Sequence, residues 1–154
     1  MKFLGVIIFC ILSFNSPGQT YDSDKAWDLF MNDVKVKYRF SLKYQAMLPK
    51  AKFGDALEKM NGKEITVNGF YLPEDMTGYI FVLSRNPSAM CFFCSGAGIE
   101  TIIEMNMEED EMNKFKKLKT DDYIAIKGTL RLNDTDEEHL IYIVDDVELV
   151  KKIK

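Results

Sequence analysis

The sequence predicts a mainly β fold built around a small closed barrel, and three observations support this. Apolar and polar residues alternate with period two along several segments, which is the pattern of half-buried strands. Two long candidate strands, 63–73 and 123–132, each carry a glycine, Gly69 and Gly128, at the same relative place, where barrel strands bend. The candidate elements run strand, strand, strand, helix, strand, strand. We therefore predict an OB-like five-stranded barrel with an extra N-terminal strand and one or two short helices.

The elements before the barrel follow from local pattern. Asp22 or Ser23 can cap a turn that carries Trp27 and Phe30. From residue 34 to residue 44 apolar and polar residues alternate, which predicts the extra strand, broken by a bend. Apolar residues with helical spacing predict a short helix over 53–60, which ends at the turn sequence Asn-Gly.

The barrel elements are predicted in chain order. Ile65 and Val67 in the first strand, and Ile124 and Ile126 in the fourth, are expected to face inward. The acidic start of the segment after the third strand suits the N-terminus of a helix. The predicted strands are 63–73, 79–84, 101–107, 123–132 and 140–150, with a helix over 108–119.

Length and charge limit the function classes. A chain of 154 residues is expected to form one domain. Its 47% hydrophobic and 29% charged residues are those of an ordinary globular protein. The net charge of −4 has the wrong sign for a protein that neutralises phosphates, so we expect no nucleic-acid partner.

The first 18 residues have the pattern of a secretory signal peptide. Lys2 precedes an apolar run over 3–12, and the small, turn-forming residues 16–18 follow it. The run is about ten residues, short of the ~20 that a membrane-spanning helix needs. We therefore predict a signal peptide over 1–18, a single OB-like domain over 19–154, and a periplasmic or secreted protein with no stable membrane insertion after cleavage. The alternatives are an uncleaved anchor and lipidation of Cys10.

The candidate chemistry lies at Cys91 and Cys94, the two cysteines that remain after cleavage. Two thiolates fill half of a tetrahedral metal site, so further donors must come from elsewhere. The candidate donors are Glu100, Glu104 and His139, the only histidine. Zinc accepts sulfur, imidazole and carboxylate, whereas copper(I) prefers the two thiolates with a thioether such as Met90. The predicted metal site is therefore Cys91, Cys94, Glu100, Glu104 and His139, holding zinc or copper.

Two other uses of the cysteine pair stay open. An oxidising, exported setting allows a structural disulfide that pins the loop. Thiol oxidoreduction is the third use, but it favours a cysteine at a helix N-terminus, whereas Cys91 follows a strand and a proline-containing loop.

Other constellations are expected to be structural. A single histidine removes most nucleophile and base arrangements, so we predict no catalytic residue. His139 itself, beside Glu137 and Glu138, is expected in an exposed turn. The aromatic residues at 70, 71, 79 and 81 could stack bases, but in an acidic chain they are expected to pack the barrel.

A family resemblance rests on the order of four segments. Trp27 comes first, then 61–65 (Asn-Gly-Lys-Glu-Ile), 69–73 (Gly-Phe-Tyr-Leu-Pro) and 91–100 (Cys-Phe-Phe-Cys-Ser-Gly-Ala-Gly-Ile-Glu). This order resembles uncharacterised exported OB-like proteins of Bacteroidetes-type bacteria, and it is distantly similar to the DUF3299 family. The match covers about residues 25 to 150. The resemblance implies an exported OB-like domain and supplies no catalytic residues.

Together these observations predict an exported OB-like binding module, with Cys91 and Cys94 holding a zinc or copper ion over the barrel end. Its partner would be a protein or a small ligand. The alternatives are a metal-free interaction module with a structural disulfide and a periplasmic thiol oxidoreductase.

Overall fold

The computed structural model describes residues 23–73, 80–91 and 96–154, so the expected signal peptide lies outside the described residues. The helices are α1 (Ser23–Asn32), α2 (Asp55–Met60) and α3 (Glu109–Phe115), with short 3-10 turns at Ser88–Met90 and Ile99–Thr101. The strands are β1 (Val34–Ser41), β2 (Ala46–Phe53), β3 (Glu64–Pro73), β4 (Phe81–Ser84), β5 (Ile102–Met105), β6 (Tyr123–Leu132) and β7 (Tyr142–Lys152). The prediction of a mainly β fold is confirmed.

Five strands close a barrel in the order β3-β4-β5-β7-β6, with β6 pairing back onto β3. Four of the pairings are antiparallel. The pairing of β5 with β7 is parallel and consists of Glu104 opposite Ile143 and Met105 opposite Val144. The predicted inward residues of β3 and β6 are buried, as expected from the alternation of a strand.

The two glycines of the long strands lie where another backbone comes close. A Cβ atom at Gly69 would be 2.8 Å from the carbonyl oxygen of Ser84. One at Gly128 would be 2.6 Å from the carbonyl oxygen of Asp145, and the β6–β7 register shifts next to it. Any side chain at either place would push two strands apart, which explains why glycine occupies both.

The extra N-terminal strand is half of a hairpin. The predicted strand over 34–44 ends at Ser41, and the chain turns and returns as β2, which pairs with β1 along its whole length. The prediction was incomplete because Pro49 interrupts the pattern of β2. Pro49 is accommodated because the two strands form a sheet of their own, in which each has an open edge.

Helix α1 packs one apolar side against the barrel. Trp27 and Phe30 are buried and their rings meet edge to face, with centroids 5.6 Å apart. The indole Nε1 of Trp27 donates a hydrogen bond to the carbonyl oxygen of Asn68, at 2.7 Å. The predicted turn is therefore the start of a helix, held to β3 by burial and a hydrogen bond. None of the helices in the described ranges combines the length and apolarity needed to cross a membrane.

Candidate functional site

A cavity of about 500 Å³, here called the pocket, lies between the β1–β2 hairpin and one side of the barrel. Its walls come mainly from β2, β4, Glu104 of β5 and the loop 133–141, which joins β6 to β7. Most of the lining is apolar: Tyr38, Met47, Leu48, Pro49, Ala51, Ile80, Val82, Ile99, Leu140 and Ile141. The polar lining residues are Lys50, Glu104, Asn133, Asp134, Asp136, Glu137, Glu138 and His139. The pocket therefore combines a mostly apolar lining with polar and charged groups that come mainly from the loop 133–141.

The loop 133–141 is shaped by one buried side chain, Asn133. Its Nδ2 donates to the carbonyl oxygens of Asp136 at 2.8 Å and Leu140 at 3.1 Å. Its Oδ1 accepts from the backbone N–H of Asp136 at 2.9 Å. A buried amide that satisfies several backbone groups fixes the loop in one conformation. The loop therefore presents His139 to the pocket from a defined position.

The carboxylate of Glu104 anchors the far end of this loop. Its Oε1 lies 2.7 Å from Nδ1 of His139, and its Oε2 accepts the backbone N–H of Leu140 at 2.9 Å. The side chain of Glu104 is 7% exposed and that of His139 is 40% exposed. Because Glu104 lies on β5 opposite Ile143, its contacts with the loop also support the parallel pairing of β5 with β7, here called the parallel seam. Both carboxylate oxygens are committed to the loop.

The hairpin is tied to the same loop by charge. Lys50 pairs with Glu137 at 3.4 Å and Ser41 Oγ donates to Glu137 at 2.7 Å. Lys43 pairs with Glu138. The hydrogen bond from Ser41, followed by the contact with Lys50, holds the pKa of the Glu137 carboxyl below its usual range. The Lys43–Glu138 pair is exposed and the Lys50–Glu137 pair is partly exposed, so these ion pairs orient the hairpin over the pocket more than they stabilise the fold.

The predicted metal ligands fall into separate places. Glu104 and His139 are brought together, whereas Cys91 is buried in the hydrophobic core and Cys94 lies outside the described residues. Glu100 turns back over its own loop, with its carboxylate packed against Gly98. Within 23–73, 80–91 and 96–154, no three His, Cys, Asp or Glu residues are grouped to hold a metal. His139 also lies in the exposed turn expected for it.

Sequence reasoning did not find the pocket, because most of its lining belongs to the unpredicted strand β2 and to the loop 133–141. The available signal was the segment 34–53, where basic residues alternate with apolar ones and acidic residues are absent. Such a segment, followed by the acidic loop 134–138, could have indicated that the two contact each other.

These features define a small closed β-barrel protein with an apolar pocket under a hairpin. No family model matches the chain, and no curated protein matches it. One similar solved structure is the crystal structure of a DUF3299 family protein from Pseudomonas aeruginosa PAO1, with 17% sequence identity and a TM-score of 0.42. The similarity covers 90% of this chain and 87% of that chain. The chain is thus distantly similar to a member of that family, as predicted.

Proposed function

We propose that the protein is an exported OB-like binding module whose pocket takes a small, largely apolar ligand. The strand order β3-β4-β5-β7-β6, with α3 between the third and fourth barrel strands, supports the OB-like assignment. OB folds bind ligands on the face of their second and third strands, beside the loop that joins the last two. In this chain those parts are β4, β5 and the loop 133–141, and all three line the pocket.

The polar groups indicate which end of the ligand is recognised. If the ring N–H of His139 at Nδ1 donates to Glu104, Nε2 carries a lone pair and can accept a hydrogen bond. Ten apolar residues make up most of the rest of the lining, beside Lys50 and polar residues of the loop 133–141, and about 500 Å³ is the size of a small-molecule site. The proposed ligand is therefore an apolar molecule with one hydrogen-bond donor. The position of the Glu104–His139 pair on the wall of this cavity is the observation that carries the proposal.

A pair of alanines in β2 gives a direct test. Ala51 is half-buried and lines the pocket, whereas Ala46 is exposed and lies outside it. Binding of the uncharged apolar dye Nile red, followed by fluorescence, should be several-fold weaker in Ala51→Met because the longer side chain fills the cavity. Ala46→Met should bind the dye as the parent chain does. Equal dye binding by both variants, or none by the parent chain, would contradict a ligand pocket at this place.

A metal ion in the cysteine loop is a second candidate. Its support is local: Gly96 has φ of 71°, a turn conformation, and the Glu100 carboxylate lies against Gly98 of the same loop. A site made by Cys91, Cys94 and Glu100 would need a fourth donor, and Glu104 and His139 already bond to each other. The ion proposed is zinc or copper.

Elemental analysis of untagged protein, combined with thiol counting, separates the uses of the cysteines. A bound metal predicts stoichiometric zinc or copper that is lost in both Cys91→Ser and Cys94→Ser. His139→Ala is the matched control, and metal retained in that variant would exclude His139 as a ligand. A metal-free disulfide would favour the interaction module, and a reversible dithiol would favour the oxidoreductase. Full metal occupancy in either serine variant would refute a shared site.

Export is tested by the N-terminus of the protein made in a bacterial host. Cleavage after Gly18 predicts a secreted or periplasmic chain that begins at Gln19. An intact N-terminus on protein recovered from the cytoplasm would contradict the proposal.

A further inference from the structure

The β1–β2 hairpin concentrates positive charge in an acidic protein. Residues 34–53 contain no Asp or Glu and six basic residues, Lys35, Lys37, Arg39, Lys43, Lys50 and Lys52. Removing these six from the chain's 20 basic residues leaves 14 against 24 acidic ones. The net charge of the whole chain therefore hides a cationic ribbon, the β1–β2 hairpin. The expectation that no nucleic acid binds was based on the net charge, and it did not take this ribbon into account.

The strand register sorts the hairpin into two faces. Residues that are directly paired in an antiparallel sheet point to the same side. One face carries the pairs Lys35–Lys52, Lys37–Lys50 and Arg39–Leu48, and the other carries Val34–Phe53, Val36–Ala51, Tyr38–Pro49 and Phe40–Met47. The ribbon is amphipathic, and the charge on its polar face is entirely basic.

Burial changes along the apolar face. At the root of the hairpin, Val34, Val36, Ala51 and Phe53 pack against the core. Towards the tip, the apolar side chains are between 43% and 87% exposed: Tyr38, Phe40, Leu42, Tyr44 and Met47. Leu42 is the most exposed of them and lies in the turn. A contiguous exposed set of this kind marks an interaction surface.

Four of the six cations are available to a partner. Lys43 and Lys50 pair with Glu138 and Glu137, so those contacts are locally neutral. The other four, Lys35, Lys37, Arg39 and Lys52, are exposed and make no ion pair with any residue of the described ranges. The partner of this surface must therefore bring negative charge as well as apolar contact.

We propose that the hairpin docks onto an anionic phospholipid surface, with its apolar tip in the interface and its free cations against the phosphates. Basic residues combined with exposed aromatic and aliphatic ones are the pattern of interfacial membrane binding. The four residue steps from Tyr38 to Leu42 span roughly 13 Å at the rise of a strand, enough to reach from the headgroups into the acyl boundary. The long Lys and Arg side chains extend back to the headgroups.

Shape and charge favour a lipid surface over a nucleic acid. A flat membrane can meet the exposed tip and basic face of the hairpin, with Glu137 and Glu138 already paired with Lys50 and Lys43. A polyanion that follows the protein surface also meets the acidic remainder of the chain. Leu42 and Met47 are also suited to acyl chains and have no ring for base stacking. Tyr38 and Met47 also line the pocket, whereas Phe40, Leu42 and the four free cations do not, so the proposal does not depend on occupancy of the pocket.

Vesicle co-sedimentation of the full chain tests the charge requirement. The vesicles are phosphatidylcholine alone, and phosphatidylcholine mixed with an equal amount of phosphatidylglycerol. The parent chain should bind the mixed vesicles more tightly, and added salt should weaken that binding. Lys35→Gln/Lys37→Gln/Arg39→Gln/Lys52→Gln should bind them at least about tenfold less, because each basic residue near an anionic surface adds attraction. The control, Lys116→Gln/Lys117→Gln/Lys119→Gln/Lys151→Gln, has the same net charge and should bind as the parent does.

A tryptophan at the tip tests insertion. The native Trp27 is buried, so it gives a constant background. Leu42→Trp emission should shift to the blue on mixed vesicles and be quenched by brominated lipid, whereas Asn113→Trp, on an exposed position of α3, should not respond. All variants share the N-terminal segment, so its own affinity for lipid cancels in the comparison.

Several outcomes would overturn the proposal. They are equal binding by the two quadruple variants, no preference for phosphatidylglycerol, and an unresponsive Leu42→Trp. Binding of the hairpin to oligo(dT) without binding to vesicles would reassign the surface to single-stranded nucleic acid. Hairpin-dependent dimerisation in sedimentation, without vesicle binding, would reassign it to a second copy of the chain.

Discussion

The phenol of Tyr142 donates a hydrogen bond of 2.6 Å to the backbone carbonyl oxygen of Phe30. Phe30 lies in the last turn of α1, where carbonyl groups lack a partner within the helix. The bond therefore joins the C-terminal end of α1 to β7 and satisfies a buried acceptor. Burial above all, with the Glu100 and Asp33 carboxylates nearby, raises the pKa of Tyr142 well above its ordinary range and keeps the phenol protonated.

Tyr142→Phe should lower the free energy of unfolding by about 1–3 kcal/mol, because it leaves a buried carbonyl unsatisfied. Tyr38→Phe, at an exposed position of the hairpin, should change it by less than about 0.5 kcal/mol. Urea denaturation measures both values. A loss for Tyr142→Phe no larger than that of Tyr38→Phe would show that the bond contributes nothing to holding α1.

Asp145 should make stability depend on pH. Its carboxylate accepts Nε of Arg131 at 2.6 Å and Nη2 at 2.9 Å, and the Arg131 hydrogen bonds hold the pKa of Asp145 below its ordinary 3.8. A carboxyl whose pKa is lowered by folding stabilises the protein above its unfolded pKa and loses that contribution as the pH falls through the folded value. Asp145→Asn should therefore cost about 0.5–1 kcal/mol near pH 7, a modest value because the pair is partly exposed.

The difference between Asp145→Asn and the parent chain should shrink as the pH falls below 3.8. Urea denaturation at several pH values checks this, with Asp134→Asn, in the exposed part of the loop 133–141, as the control for removing one charge. A pH-independent difference would mean that the effect of Asp145 is packing and not ionisation.

Glu104→Ala should loosen the loop 133–141. The change removes the acceptor of the Leu140 N–H and the partner of His139, so hydrogen exchange at the Leu140 amide should accelerate several-fold. Glu104→Gln keeps the shape and an acceptor oxygen, so it should retain most of the protection. Unchanged exchange at Leu140 in the alanine variant would show that Asn133 alone fixes the loop.

Gly128→Ala should destabilise the barrel by about 1–3 kcal/mol. The new Cβ would lie 2.6 Å from both the carbonyl oxygen of Asp145 and Cγ1 of Val144, so the backbones of β6 and β7 must separate. Ala46→Gly, in the exposed part of the hairpin, is the control for an alanine–glycine exchange away from the barrel. Thermal unfolding compares them, and equal melting temperatures for Gly128→Ala and the parent would contradict the close approach.

The sequence predicted the barrel strands well because their signals are local. Alternation marked β3 and β6. The glycines were predicted as bends, and in the structure Gly69 and Gly128 lie at close approaches of neighbouring strands. Strand β2 was missed since Pro49 and a mixed pattern hide it, and its pairing with β1 is not encoded in either strand alone. The pairing of Glu104 with His139 joins residues 35 positions apart, so only the closed barrel could reveal it. The metal site remains a prediction.

The parallel seam between β5 and β7 has a consequence for how the barrel closes during folding. The strand that completes the ring, β7, comes after all its neighbours, and it meets β5 through only two residue pairs. Until β7 emerges, β3 to β6 are an open sheet with two bare edges, at β5 and at β6, and the ring cannot yet form. The newly made polypeptide thus depends on its last strand to cover both edges at once.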